Sequence, residues 1–172
     1  MRIRHNKTLL MSGMLLILCA LCAGCGPRTI EQHPPVDNSR LFIASLDEIW
    51  TKLLEIITTG EETLTFVDKA GGLITFQKNI PVKQLAQYAF DDSGMLMSQA
   101  TANVVLRVAA QDEQSTRVLL NTKITATGKD VLDVLLSRQR QVVLDSKGWL
   151  EREYFDRLNS KLQKAAAPQG AF

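Results

Sequence analysis

The side chains best suited to nucleophilic chemistry lie near the beginning of this 172-residue chain. All three cysteines precede residue 26, and the two histidines are His5 and His33. A serine or cysteine triad needs an imidazole beside its nucleophile within the folded domain. Because residues 41–164 contain neither histidine nor cysteine, the sequence predicts a protein that is not an enzyme and that uses no cofactor.

The remaining candidates for metal binding or acid–base chemistry are three acidic pairs outside the predicted helices: Glu61-Glu62, Asp91-Asp92 and Asp112-Glu113. Neighbouring acids on a loop usually belong to a solvated turn. Calcium takes roughly six to eight oxygen ligands, and no such shell is visible around Asp91-Asp92-Ser93. Gly71-Gly72 lacks the lysine and the spacing of a P-loop. We therefore expect turns at these places, and no metal site.

The first 26 residues have the pattern of an export signal. Arg2, Arg4 and Lys7 precede an uncharged apolar run of 13 residues, from Leu9 to Leu21. Such a run is too short to span a bilayer comfortably and is typical of a signal peptide. We expect residues 1–24 to be cleaved, with an uncleaved transmembrane helix and ordinary secretion as the alternatives.

The residues around the cleavage point, Leu21-Cys22-Ala23-Gly24-Cys25-Gly26, resemble the lipobox of bacterial lipoproteins. The resemblance implies cleavage between Gly24 and Cys25 and attachment of fatty acyl chains such as palmitate to Cys25. It departs from the family pattern at Cys22, where leucine is usual. Because glycine rather than aspartate follows Cys25, the resemblance implies an anchor at the periplasmic face of a Gram-negative outer membrane. Several acyl chains hold to a bilayer far better than one.

Charge and cysteine count change once the leader is removed. It carries three basic residues and no acidic one, which leaves 17 Lys and Arg against 18 Asp and Glu, a net charge of −1. Without a polybasic cluster, nucleic-acid binding is disfavoured. Cys25 is then the only cysteine and is used by the lipid, so that no disulfide is expected.

Composition divides the mature chain into three parts. Residues 25–41 are expected to form the acylated cysteine and a flexible tether, because they lack apolar periodicity and contain Pro34-Pro35. Residues 42–164 are long enough for a single α+β domain. Residues 165–172 are expected to be a disordered tail.

Periodicity assigns most of the domain. It predicts a helix that begins at Ser45 and ends near Gly60, a hairpin of residues 63–67 and 73–76, and a short helix over residues 81–89. Strict alternation predicts a long hairpin of residues 100–109 and 117–126 with one buried face. A last helix is predicted over residues 149–164, with Leu150, Tyr154, Leu158 and Leu162 on one face. Residues 130–145 fit helix or strand, with a possible edge strand at 141–144, so their secondary structure is left open.

Three segments resemble BamC-type envelope lipoprotein domains: residues 45–50 at a helix start, 68–74 at the first turn and 146–153 before the last helix. The resemblance covers roughly residues 43–164 and implies a helix-grip-like fold. We therefore expect an α+β fold in which an antiparallel sheet of four or more strands has two long helices packed on one face. The resemblance also implies an accessory, partner-binding role and brings no catalytic residues.

The polar side of the long hairpin is the candidate binding surface, formed by Asn103, Arg107, Arg117, Asn121 and Lys123. Such a face is most often only solvated, and if it binds, its partner is anionic or polar. We expect a binding or scaffolding module of the cell envelope, with an envelope protein as its partner. The alternative is a carrier of a small amphiphilic ligand in a groove between the sheet and a long helix.

The lipobox predicts that Cys25→Ala abolishes acylation and leaves an unprocessed precursor or a released protein. Labelling cells with a clickable fatty acid measures this directly, because label should be found on the parent chain and not on the variant. Cys22→Ala is the matched control and should keep the label. Continued labelling of Cys25→Ala would exclude this anchor.

Overall fold

Antiparallel sheet makes up most of the regular structure. The computed structural model describes residues 33–130 and 138–166. Within these ranges there are seven strands, numbered in chain order: β1 (Ser39–Phe42), β2 (Thr63–Asp68), β3 (Leu73–Ile80), β4 (Ala89–Phe90), β5 (Met95–Ala110), β6 (Thr116–Asp130) and β7 (Arg140–Ser146). They are hydrogen-bonded in the order β2-β3-β5-β6-β7-β4. Strands β1 and β7 pair with successive parts of β6, residues 116–119 and 124–128.

The long hairpin of β5 and β6 is the centre of the sheet, and its prediction is confirmed. The two strands pair from Met95 opposite Asp130 to Ala110 opposite Thr116, with one irregularity between Met97 and Gln99. Since successive side chains on a strand point to opposite faces, alternate residues are buried on one side: Ala100, Ala102, Val104, Leu106, Val108, Val118, Leu120, Ile124 and Ala126. We call this side the inner face.

The first hairpin, of β2 and β3, is also confirmed. Its turn is closed by the Asp68 side chain, whose Oδ1 accepts a hydrogen bond from the Gly71 amide at 3.0 Å. Gly72 has φ of 63°, a conformation that other residues adopt at a cost. A β-carbon at Gly72 would also lie 2.2 Å from the carbonyl oxygen of Val108, so only glycine fits this turn against β5.

Three α-helices lie in the described ranges: α1 (Leu46–Thr58), α2 (Leu85–Tyr88), which follows the 3-10 turn Val82–Gln84, and α3 (Trp149–Ala166). Helix α1 begins as predicted, because the Ser45 side chain caps it by accepting a hydrogen bond from the Glu48 amide at 3.3 Å. Helices α1 and α3 cover the inner face. Their buried apolar residues are Ile49, Trp50, Leu53, Ile56, Ile57, Leu150, Tyr154, Phe155 and Leu158.

The predicted fold class, a sheet of four or more strands with two long helices on one face, is wrong. Of the described residues, 46% are in strands and 29% in helices, and the helices are short. Three further strands, β1, β4 and β7, explain the difference. Strand β7 covers the end of the stretch left open, including the possible edge strand at 141–144, and Ser39–Phe42, placed largely in the tether, forms β1. The predicted helix over 81–89 is also reduced to a turn, the four residues of α2 and the start of β4.

The described residues from Pro35 onward belong to one compact unit. Among the described residues, no helix combines the length and the apolar character needed to cross a membrane. Cys25, the predicted signal peptide and residues 167–172 of the predicted tail lie outside the described ranges.

The two sides of the sheet predict unequal costs of truncation. Leu158 is 1% exposed on α3, so Leu158→Ala should lower the free energy of unfolding by about 2–5 kcal/mol. Leu119 is half-buried on the other side of β6, and Leu119→Ala should cost less than half as much. Chemical denaturation at constant m-value measures both. Equal losses would mean that the second side of the sheet is covered in solution.

Candidate functional site

The side of the sheet away from α1 and α3 carries the predicted binding residues. We call it the outer face and define it by alternate residues of the three central strands: Leu73, Thr75, Gln77 and Asn79 on β3, Thr101, Asn103, Val105 and Arg107 on β5, and Arg117, Leu119, Asn121, Lys123 and Thr125 on β6. None of these residues is buried. No described part of the chain therefore covers this face.

The structure brings the five predicted residues onto this one surface. Asn103 lies directly opposite Lys123, while Arg107 is opposite Leu119, next to Asn121 along β6. At about 3.4 Å per residue, Arg117 and Lys123 stand about 20 Å apart along β6. The prediction that these residues share a face is confirmed, whereas their role in binding stays a prediction.

Hydrogen bonds between neighbouring strands order the amides of the outer face. The Gln77 amide nitrogen donates to Asn103 Oδ1 at 2.9 Å, and the Asn38 amide nitrogen donates to Asn121 Oδ1 at 2.9 Å. Arg117 Nε donates to Gln111 Oε1, also at 2.9 Å. These bonds restrain the side chains that form them, which reduces the conformational entropy that those side chains lose when a partner binds.

The charges on this face have one sign. Arg107, Arg117 and Lys123 are its ionisable residues, and no acidic residue occupies the positions that define it. Within the described ranges, Arg107 and Lys123 form neither an ion pair nor a side-chain hydrogen bond. Two free cations and a set of ordered amides can pair with carboxylates and with exposed polar groups of a partner.

The acidic pairs play structural parts. Asp91 Oδ1 accepts hydrogen bonds from the amide and hydroxyl of Ser93, at 3.1 and 2.6 Å, as expected for a turn. Asp112 holds the turn between β5 and β6 through Ser115 and the Gln114 amide, and these bonds lower the pKa of its carboxyl group. In the part of the chain that the structure describes, no cluster of histidine, cysteine or acidic residues could hold a metal ion.

Glu62 is the exception, because the sequence placed it in a solvated pair and the structure buries its side chain to 1% exposure. Its Oε1 accepts hydrogen bonds from the Tyr154 hydroxyl at 2.5 Å and from Arg157 at 3.0 Å. Arg157 also donates to the carbonyl oxygen of Ile56 at 3.0 Å, at the end of α1. This Glu62 cluster joins α1, the loop before β2 and α3. Tyr154 and Arg157 each lie more than 90 residues from Glu62 in sequence, so no local sequence pattern indicates the cluster.

Burial raises the pKa of Glu62, but the hydrogen bonds from Tyr154 and Arg157 outweigh burial and hold it below the ordinary value. For Tyr154, burial and the Glu62 carboxylate both raise the pKa of the hydroxyl, which stays protonated as the donor. The cluster is therefore a charged Glu62 that is held by a neutral phenol and a guanidinium.

A groove of about 640 Å³ lies along the solvent side of α3. It also borders Ile56 of α1 and Thr59, the residue that follows α1. It is separate from the interface between helices and sheet, where the alternative prediction placed an amphiphilic ligand. Buried apolar side chains fill that interface. Trp149, at one end of the groove, is 41% exposed and packs edge-on against Tyr88 with 6.2 Å between ring centroids.

No protein-family description and no curated protein sequence matches this chain.

The depressed pKa of Glu62 predicts a pH-dependent stability. Its ionised form is stabilised by folding, so this contribution is present above the ordinary pKa of 4.5 and is lost as the pH falls below it. Glu62→Gln should cost about 1–3 kcal/mol near pH 7 and should flatten the fall of stability between about pH 5 and pH 3. Chemical denaturation across this range measures both effects. Glu61→Gln, at the exposed neighbour, should leave the profile unchanged, and equal profiles for all three proteins would contradict the assignment.

Proposed function

We propose that this chain is a lipoprotein of the cell envelope, anchored through acylated Cys25 to the periplasmic face of the outer membrane. Its domain acts as a binding or scaffolding module, and its partner is an envelope protein. The lipobox-like residues support the anchor, and the pattern shared with BamC-type domains supports an accessory role without catalysis.

The uncovered outer face is the observation that carries the partner-binding role. Helices α1 and α3 pack on the inner face, while the opposite side of the three central strands presents ordered amides and cations. A surface that only had to be solvated would gain solubility from mixed charge signs. On its three central strands, this face combines a single sign of charge with amide side chains that are already ordered.

The chemistry of the outer face selects an acidic, polar partner surface. Arg107 and Lys123 lie on adjacent strands, four residues apart in register, which corresponds to about 14 Å. Carboxylates at a similar spacing on the partner would pair with both. Such pairs speed association and set orientation more than they add affinity, which suits a module already held at the membrane by its anchor.

Site-specific photo-crosslinking in cells tests this proposal. A benzophenone amino acid at position 121 or 123 should give a discrete adduct with an envelope protein. Gln87, exposed on α2, is the control position and should give no such adduct. Absence of an adduct at both outer-face positions, or the same adduct at position 87, would contradict the proposal.

Charge reversal on the outer face provides a second test of the proposal. Arg107→Glu combined with Lys123→Glu should lower the adduct yield at position 121 about tenfold, because the cations would then repel an acidic partner. Lys83→Glu, an exposed residue of the 3-10 turn, is the matched change elsewhere on the domain and should leave the yield unchanged. A yield that is insensitive to the double reversal would exclude an electrostatic interface on this face.

A further inference from the structure

The groove along α3 contains charged side chains that are not all paired within the fold. Its acidic residues already pair with cations that lie outside it: Glu153 with Lys78 at 2.9 Å and Asp156 with Arg40 at 3.1 Å. These carboxylates are therefore largely neutralised from the flanks of the helix. An anion in the groove would meet little repulsion from them.

Two of the four cations in the groove are also occupied. Arg157 pairs with Glu62 at 3.0 Å, and Lys161 pairs with Glu55 at 2.5 Å. The other two, Arg152 and Lys164, have no carboxylate partner in the ranges that the structure describes. They stand twelve residues apart on α3, which corresponds to about 18 Å. The groove thus has an uncompensated positive charge near each end.

Arg152 is the better placed of the two for recognising an amphiphile. Its Nε donates to the Gly148 carbonyl oxygen at 3.2 Å, and its guanidinium carbon lies 5.9 Å from the centre of the Trp149 ring. The remaining N–H groups have no partner within the described chain. A fixed guanidinium therefore stands beside an indole that is 41% exposed. The groove continues along Arg157 and Lys161, whose methylene stems are apolar.

We propose that this groove binds a single-chain anionic amphiphile, with its carboxylate or phosphate head at Arg152 and its methylene chain against Trp149 and the stems of Arg157 and Lys161. Arginine binds carboxylate and phosphate oxygens through paired N–H groups, and the groove volume lies in the range that suits a small ligand. The ligand enters as a free monomer from solution. The site lies on α3, away from the outer face, so this inference stands or fails independently of the proposed partner surface.

Tryptophan quenching by a brominated fatty acid tests the site in the full-length chain. Bromine quenches an indole on contact, and the chain has only Trp50, which is 4% exposed, and Trp149. In the presence of zwitterionic nanodiscs, 2-bromododecanoate, which carries its bromine beside the carboxylate, should quench saturably, and Trp149→Phe should remove most of that quenching. The neutral 2-bromododecanol should need at least about tenfold higher concentration, because it lacks the charge that pairs with Arg152.

Single substitutions distinguish binding in the groove from general adsorption to the protein surface. Arg152→Gln, on the solvent side of α3, should raise the half-quenching concentration about tenfold. Arg117→Gln removes the same charge from the outer face and should leave the concentration unchanged. Equal effects of the two variants, equal quenching by the acid and the alcohol, or quenching only by brominated phospholipid in the nanodiscs would each overturn the proposal. The proposal would also be overturned if inorganic phosphate prevented quenching of Trp149 at the same concentration at which the brominated acid binds. The methylene chain of the ligand would then contribute nothing to binding.

Discussion

The pairing of β5 with β6 is the constraint on which the rest of the structure depends. Two strands of 16 and 15 residues, paired along their length with one irregularity between Met97 and Gln99, create two faces with opposite requirements. The inner face carries alanine, valine, leucine and isoleucine. Its exposure to water is unfavourable, so the fold is stable only when helices cover it. The small side chains of Ala100, Ala102 and Ala126 are fully buried, which allows the covering elements to approach the backbone closely. The outer face has no such requirement, and its composition is therefore free to serve binding.

Polar contacts decide how the helices sit on that inner face. The Glu62 cluster joins the end of α1 to α3, and the ion pairs of Lys78 with Glu153 and of Arg40 with Asp156 join α3 to β3 and β1. The Tyr154 ring packs edge-on against Phe76 with 5.0 Å between centroids, so the same residue contributes to the core and to the cluster. Exposed ion pairs contribute little individually. The nearly complete burial of Glu62 makes its pairing the costly one to break.

The sequence predicts the elements whose information is local and fails where pairing is distant. The β5–β6 alternation, the Ser45 cap and the Gly72 turn are visible in a few neighbouring residues, and the structure has each of them. Strand β1 follows two prolines and buries only Phe42, and β7 buries only Leu144. Strand β1 shows no alternation and pairs with residues of β6 far along the chain. Residues 141–144 are too few to separate an edge strand from a helix by periodicity alone. The predicted fold class is wrong for this reason, since the missed strands shift the balance from helix to sheet.

The same distinction applies to the candidate sites. Period-two alternation suffices to group Asn103, Arg107, Arg117, Asn121 and Lys123, because it determines which strand residues share a side. The groove could not be predicted in this way, since its character depends on which cations remain after pairing. Glu62 and Glu55 take up Arg157 and Lys161, and only that assignment leaves Arg152 beside Trp149 with unused donors. A charged stripe on a helix therefore says little about binding by itself. What a helix can recognise is set by the charges that its tertiary contacts leave unpaired.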